Sequence, residues 1–154
     1  MKLTHINQKD GSIRMVDISA KPPVKRIAVA AGTIRMKPET ITLLKKGLLK
    51  KGDPLVCAQI AGIMAAKKTC DLIPLCHQIS LQHVGVEFAV HGDEIDITAT
   101  ASCIGPTGVE MEALTAVSIA ALTLYDMCKA VDKTMEIKGI KLLKKTKEAL
   151  DELF

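Results

Sequence analysis

Side chains able to move protons or hold anions fall in a few short stretches of the chain. Asp126 and Lys129 stand three residues apart, so on a helix they face together. Such a pair is either a surface ion pair worth roughly 0–1 kcal/mol or an acid–base pair in which each group tunes the other. A lysine beside a second cation, or one stripped of water, becomes a base near neutral pH. Glu110 and Glu112 open the same apolar run. Glu110 completes a capping box with Thr107, worth up to about 1 kcal/mol, whereas Glu112 is not needed for the cap. At two residues' spacing their side chains point to different sides of a helix. Cys76-His77 follows the run Leu72-Ile73-Pro74-Leu75. The segment is a packed connector with an incidental histidine, or a site. Adjacent side chains usually point apart, which disfavours this cysteine and histidine as a catalytic pair.

Anion-holding groups are scattered. Lys50, Lys51, Lys67 and Lys68 flank an apolar, small-residue run. There is no Walker loop and no G-x-G-x-x-G, so a phosphate-rich ligand needs side chains such as Arg26, Lys51 and Lys67. His5, His77, His83 and His91 show no metal-ligand spacing, and neither H-E-x-x-H nor C-x-x-C occurs. No metal or cofactor is expected, although a metal site built from distant residues stays open. One helix carries Glu112 and Asp126 14 residues apart, about 21 Å of rise at ~1.5 Å per residue. If both serve one small reacting centre, two copies of the chain supply them across an interface.

The elements positioning these groups read as follows. Residues 1–25, broken by Asp10-Gly11 and Pro22-Pro23, form a mostly irregular arm. Residues 26–34 are a small-residue strand. Pro38 opens a helix of about ten residues that ends near Gly47. Asp53 as N-cap and Pro54 in the first helical position start a second helix. Its Ala58, Ala61, Gly62, Ala65 and Ala66 leave a smooth packing surface. Val84, Val86, Phe88 and Val90 alternate, turn at Gly92-Asp93, and are answered by Ile95, Ile97, Ala99, Ala101 and Cys103. That hairpin puts His83 and His91 on its wetter face. From the capping box the longest helix runs to about Lys133. Residues 134–143 return as a strand kinked at Gly139, and a lysine-rich tail follows. Apart from one additional helix, the order is the βαββαβ of an α+β, ferredoxin-like split sandwich with an antiparallel sheet.

Composition narrows the class. The 154 residues, 48% hydrophobic and 25% charged, suit a single domain over residues 1–154 with its own core. Only Phe88, Tyr125 and Phe154 are aromatic, too few for the stacking platforms of single-stranded nucleic-acid binders. A net charge of +4 mildly favours anionic ligands. Five cysteines, an odd number, fit free thiols in a reducing compartment. With neither a signal-peptide core nor a membrane-length apolar run, the expectation is a cytoplasmic protein with no membrane partner.

Longer strings carry a resemblance. RMVDIS (14–19), KGDPLVCAQIAGIMAAKKT (51–69), LIPLCH (72–77) and GPTGVEMEALTAVSIAALTLYDMCKAVDK (105–133) make the chain closely resemble the cyclic pyranopterin monophosphate synthase family, over roughly residues 14–145. The resemblance implies conversion of 3′,8-cyclo-7,8-dihydro-GTP to cyclic pyranopterin monophosphate with release of pyrophosphate, a step of molybdenum cofactor biosynthesis. It implies no redox or metal cofactor. It also implies a homohexamer, a trimer of dimers with sites between subunits. By motif it assigns catalysis to Asp126, Lys129 and Lys51. Substrate contacts fall on Leu75, Cys76, His77, Glu110, Met111, Glu112, Arg26 and Lys145. The chain departs from the family pattern at Gln78, where proline is usual, and at Val24, where threonine is usual. Lys145-Thr146-Lys147-Glu148-Ala149-Leu150 reads as helical where the family commonly carries a flexible Lys-Ser-Gly-Gly-Lys-Ser-Gly strip. A ferredoxin-like RNA-binding or regulatory module, or a family member that has lost activity, are the competing readings.

Overall fold

A computed structural model describes residues 5–7 and 10–150. The first four residues of the arm and the last four of the tail lie outside the described residues. The elements run β1 (Val24–Arg35), α1 (Pro38–Lys45), α2 (Pro54–Ala66), α3 (Thr69–Leu72), β2 (Leu81–His91), β3 (Glu94–Gly105), α4 (Glu110–Cys128) and β4 (Glu136–Glu148). The four strands form one antiparallel sheet in the order β2-β3-β1-β4, the split βαββαβ arrangement.

Strand alternation sets the core. Ile95, Ile97, Ala99, Ala101 and Cys103 of β3 are all buried, and Ala28, Ala30 and Ile34 of β1 lie beside them on the same face. Across the hairpin Val86 faces Ala99 and Phe88 faces Ile97. Phe88 packs against the core, so it is no exposed stacking ring. Gly92, at φ +52°, makes the turn. His83 and His91 are exposed, as the alternation predicts.

On this face lie α4 and α2. The helices approach closely because their contact is built of small residues: Ala58, Gly62, Ala65 and Ala66 of α2, Ala113, Ala116 and Ala120 of α4, all buried. A methyl group at Gly62 would sit 2.9 Å from the Ala116 carbonyl oxygen. By length and composition α4 could cross a membrane. Here nine of its residues are buried, Glu112 among them, on the sheet and α2. Asp53 caps α2 by accepting from the Leu55 and Val56 N–H groups, at 2.9 and 3.2 Å.

Three expectations are corrected. The Thr107 capping box does not form. Val109 is the N-cap of α4 without a side-chain cap, and the Glu110 carboxylate folds back over Gly108, where a β-carbon would collide with it. The helix ends at Cys128, short of Lys133, because Asp132 turns back. Its buried carboxylate accepts from the Lys37 N–H (2.7 Å) and the Thr40 hydroxyl on one oxygen. The other oxygen accepts from the Thr134 N–H (2.8 Å) and hydroxyl (2.7 Å). Asp132 therefore caps α1, whose own N-cap residue Lys37 offers no side-chain bond. The tail is not helical through Glu148: β4 carries Lys145, Lys147 and Glu148 opposite Ala28, Arg26 and Lys25. A six-residue segment cannot offset helix nucleation, whereas the edge of β1 offers a ready ladder. Gly139, at φ +66°, sits where the β1–β4 register shifts, the expected kink. Among its described residues the arm is mostly irregular, as expected, with one short bridge. Ile6 and Ile13 bridge in antiparallel fashion around a turn at Gly11, φ +70°.

Candidate active site

Two dissimilar chemical environments occupy the two ends of α4. At its N-terminal end lies a cavity of about 490 Å³ between the arm, the connector before β2 and the first turn of the helix. Val16, Ile18, Leu75, Ile79 and Met111 give it an apolar side, and Cys76, His77 and Glu112 supply polar groups. The connector 76–80 belongs to no helix or strand. His77 is held there by a 2.7 Å hydrogen bond from Nε2 to the Val16 carbonyl.

Glu112 is 4% exposed, and its Oε2 has no hydrogen-bond partner among the described residues. Burial raises its pKa above the ordinary carboxylate range, and the nearby Glu110 adds to the rise. It is thus pushed toward a neutral acid able to donate a proton. Burial, then the proximity of Glu112, also raises the Cys76 thiol. The reactive thiolate is disfavoured there.

Beside this cavity a smaller one of about 280 Å³ is lined by Arg26, Glu110, Lys145 and Lys147 among others. Antiparallel pairing brings these cations together, since Lys147 lies opposite Arg26 in the ladder. Arg26 is partly committed already. Its Nε donates to the Gly105 carbonyl at 2.9 Å and its Nη2 to the Pro106 carbonyl at 3.1 Å, pinning the end of β3. Lys145 Nζ reaches Glu110 Oε1 at 3.2 Å. Glu110 is thereby spent on the tail's lysine rather than on the helix cap.

At the C-terminal end of α4, Asp126 binds two ammonium groups. Lys129 Nζ meets Oδ1 at 2.7 Å, from one turn on. Lys51 Nζ meets Oδ2 at 2.7 Å and donates to the Asp126 carbonyl oxygen at 3.0 Å. Lys51 comes from the loop preceding the Asp53 cap, so the start of α2 positions it. Hydrogen bonds from Lys129 and then Lys51 hold the Asp126 pKa down at about 2. The same pair raises Lys129. Within one copy the bridging carboxylate thus favours the charged ammonium form of Lys129, opposite to the lowering that a neighbouring cation would cause. All three side chains are about half exposed, beside a depression lined by Tyr125, Ala130 and Lys133.

The structure therefore gathers Leu75, Cys76, His77, Glu110, Met111 and Glu112 around the first cavity, and Arg26 and Lys145 next to it. Asp126, Lys129 and Lys51 form their own cluster at the opposite end of the helix. Lys67 joins neither. It is exposed at the C-cap of α2, near Gln82 and His83. Sequence reasoning overlooked Val16, Ile18, Lys21, Ile79 and Asp132. Only RMVDIS signalled the arm, without indicating any chemistry. Among the described residues no three His, Cys, Asp or Glu side chains come together as a metal-holding group.

A ferredoxin-like sandwich with a carboxylate-bridged lysine pair and a separate half-apolar cavity is the frame in which the comparisons fall. The model of the MoaC family matches residues 15–148, and the chain belongs to that family. It is 54% identical to the cyclic pyranopterin monophosphate synthase of Peptoclostridium acidaminophilum, over 95% of this chain and 92% of that protein. It is 57% identical to that of Novosphingobium aromaticivorans, over 93% and 90%. It is also 57% identical to a molybdenum cofactor biosynthesis bifunctional protein of Chlorobaculum tepidum, over 95% of this chain. The chain spans only 46% of the length of that bifunctional relative.

Proposed function

We propose that the chain is a cytoplasmic phosphorus–oxygen lyase acting as one domain. It converts 3′,8-cyclo-7,8-dihydro-GTP to cyclic pyranopterin monophosphate and pyrophosphate. The observation that carries this reading is the carboxylate-bridged lysine pair Lys51–Asp126–Lys129, within a family match spanning residues 15–148. The half-apolar cavity suits a fused heterocycle. The Arg26, Lys145 and Lys147 strip beside it suits phosphates, whereas Lys67 lines neither cavity and serves the site only if a second copy supplies it.

In the closing step a hydroxyl of the former ribose attacks the α-phosphorus. The bond from that phosphorus to the bridging oxygen of pyrophosphate breaks, and the hydroxyl proton leaves. Lys129, held charged by Asp126, supplies a proton or neutralises the departing pyrophosphate. Lys51, an ammonium on the same carboxylate, gives the second proton or neutralises the developing anionic charge, and the hydroxyl proton passes to solvent water. Glu112, held toward its neutral form, is the proton donor at the heterocyclic end. These steps are carried by side chains, and no cofactor is assigned to them.

The active unit is a homohexamer, a trimer of dimers, with each site completed by a second copy. Two observations support this. Glu112 and Asp126 are separated by about 21 Å along one rigid helix. In addition, Val56, Ile60 and Met64 leave an apolar stripe on α2 half exposed at four-residue spacing. The test is incubation with the cyclised GTP intermediate, with pyrophosphate and pterin product measured separately. Equal yields of both support the reading. Product-free hydrolysis or no turnover by folded protein contradicts it.

A further inference from the structure

The string Arg14–Ser19 has a place in the fold for which the site described so far gives no reason. It crosses the mouth of the cavity as a strap. Val16 and Ile18 are half-buried, while Met15, Asp17 and Ser19 are exposed, so alternate side chains turn inward along it. Both ends are shaped by local turns of the arm. Upstream, the Arg14 N–H donates to the His5 carbonyl at 3.0 Å, continuing the Ile6–Ile13 bridge. Downstream, Asp17 Oδ1 accepts from the Ser19 N–H at 2.9 Å and its hydroxyl at 2.6 Å. The Lys21 N–H then donates to the Ile18 carbonyl at 3.0 Å, and Pro22-Pro23 leads into β1.

Between these turns, among the described residues, the strap makes one polar contact with the cavity wall, the Val16 carbonyl accepting from His77 Nε2. A carbonyl oxygen can only accept, so Nε2 must carry the hydrogen. In the neutral ring Nδ1 is then the lone-pair nitrogen, and it has no hydrogen-bond partner among the described residues. Residues 76–80 form no regular element, so no helix or strand ladder holds His77.

We infer that the strap is a positioning device for His77. Through the Val16 carbonyl it fixes the imidazole as the Nε2–H tautomer. It thereby presents Nδ1 as a hydrogen-bond acceptor to a ring N–H or hydroxyl of the substrate, while Val16 and Ile18 close the apolar wall. The inference rests on reading His77 as a substrate contact, but the tautomer itself can be measured with no substrate present.

The experiment uses the full chain with ¹⁵N-labelled histidine and reads the two His77 nitrogen shifts in the ligand-free protein. The expected wild-type result is a single Nε2–H tautomer at pH values where the ring is neutral. Replacing the amide between Val16 and Asp17 by an ester keeps every side chain and weakens the Val16 carbonyl as an acceptor. Asp17→Ala removes the turn that shapes the strap just after Val16, whereas Asp17→Asn keeps an oxygen for Ser19. The ester and Asp17→Ala proteins should populate both tautomers, and Asp17→Asn should return to one. With the cyclised GTP intermediate, kcat/KM should fall in proportion to the Nε2–H fraction, about twofold for an even mixture, and recover with Asp17→Asn. A wild-type Nδ1–H ring, or an ester protein that keeps a pure Nε2–H ring, overturns the inference. Loss of synthase activity in every form, with the tautomer responding as described, overturns the catalytic reading alone.

Discussion

The two ends of α4 present carboxylates of opposite character. Glu112 is buried, lacks a partner for one oxygen and has its pKa raised. Asp126 is half exposed, binds two ammonium groups and has its pKa lowered to about 2. The residue types are nearly the same and both sit on one helix, so environment alone divides the roles. A dry end keeps a proton on its carboxyl group, and a cation-rich end strips it off. An enzyme that must move protons at a heterocycle and expel an anionic leaving group needs both. One straight helix holds them too far apart for a single small centre.

The largest effect should come from breaking the cation-rich end. Asp126→Asn or Lys129→Ala should leave a folded protein whose turnover is down at least about a hundredfold. Steady-state rates beside a circular dichroism spectrum check this. A folded double variant with near-normal turnover would leave the cluster as a mere surface ion pair.

Next comes Asp132, the carboxylate just past the same end. It is 1% exposed and accepts four hydrogen bonds. Asp132→Ala should cost about 3 kcal/mol in urea unfolding, since donors are left unpaired inside the protein. Burial alone would raise its pKa, but the hydrogen bonds from Lys37, Thr134 and Thr40 hold it lowered. Its stabilisation is therefore present above the unfolded value near 3.8 and disappears as pH falls through the lower folded value. The Asp132→Ala protein should lose this acid limb. The contrast with exposed Asp126 is sharp, for Asp126→Asn should shift the unfolding midpoint far less than it shifts turnover.

The dry end should respond with the opposite sign. The raised pKa of Glu112 gives a stability contribution that is complete below the unfolded carboxylate value and declines as pH rises through the folded one. Glu112→Gln keeps the shape and removes the titration. The variant should match the wild type in acid and gain on it toward neutral pH, while losing about tenfold or more in turnover as a proton donor. Unfolding midpoints followed from acid, below the free carboxylate value, upward through neutral pH measure the first effect. A variant that loses stability at neutral pH would mean that Glu112 is charged and paired.

The smallest effect is expected at the Lys145–Glu110 contact. Both groups are at least partly exposed, so Lys145→Ala should cost at most about 1 kcal/mol of stability. Any larger effect should appear in KM, with salt partly mimicking it by screening.

Much of this frame was legible in the sequence because it rests on local chemistry. Alternation in Ile95–Cys103, the Asp53-Pro54 start and the small-residue face of α2 each follow from side-chain geometry within a few residues. The i,i+3 spacing announced the Asp126–Lys129 pair. What escaped was contact made at long range. The Thr107–Glu110 cap fails because Lys145, 35 residues away, draws on Glu110. The tail's helical reading fails because β1 offers it a pairing edge. Asp132 looked like one more polar residue, since its partners Lys37 and Thr40 lie more than ninety positions earlier. Val16 showed no chemistry because what it contributes to His77 is a backbone carbonyl, which every residue owns.

That the two ends of α4 complete one another across a subunit boundary can be decided with two inactive chains. Glu112→Ala and Asp126→Ala proteins are mixed, exchanged under mild denaturant and returned to native buffer, and the turnover of the mixed oligomers is measured. If each site takes Glu112 from one copy and Asp126 from another, random pairing restores about one quarter of the wild-type activity, since half the pairs are mixed and half their sites are intact. If demonstrably mixed oligomers stay as inactive as either parent, the two carboxylates do not come from different copies, and the shared site is wrong.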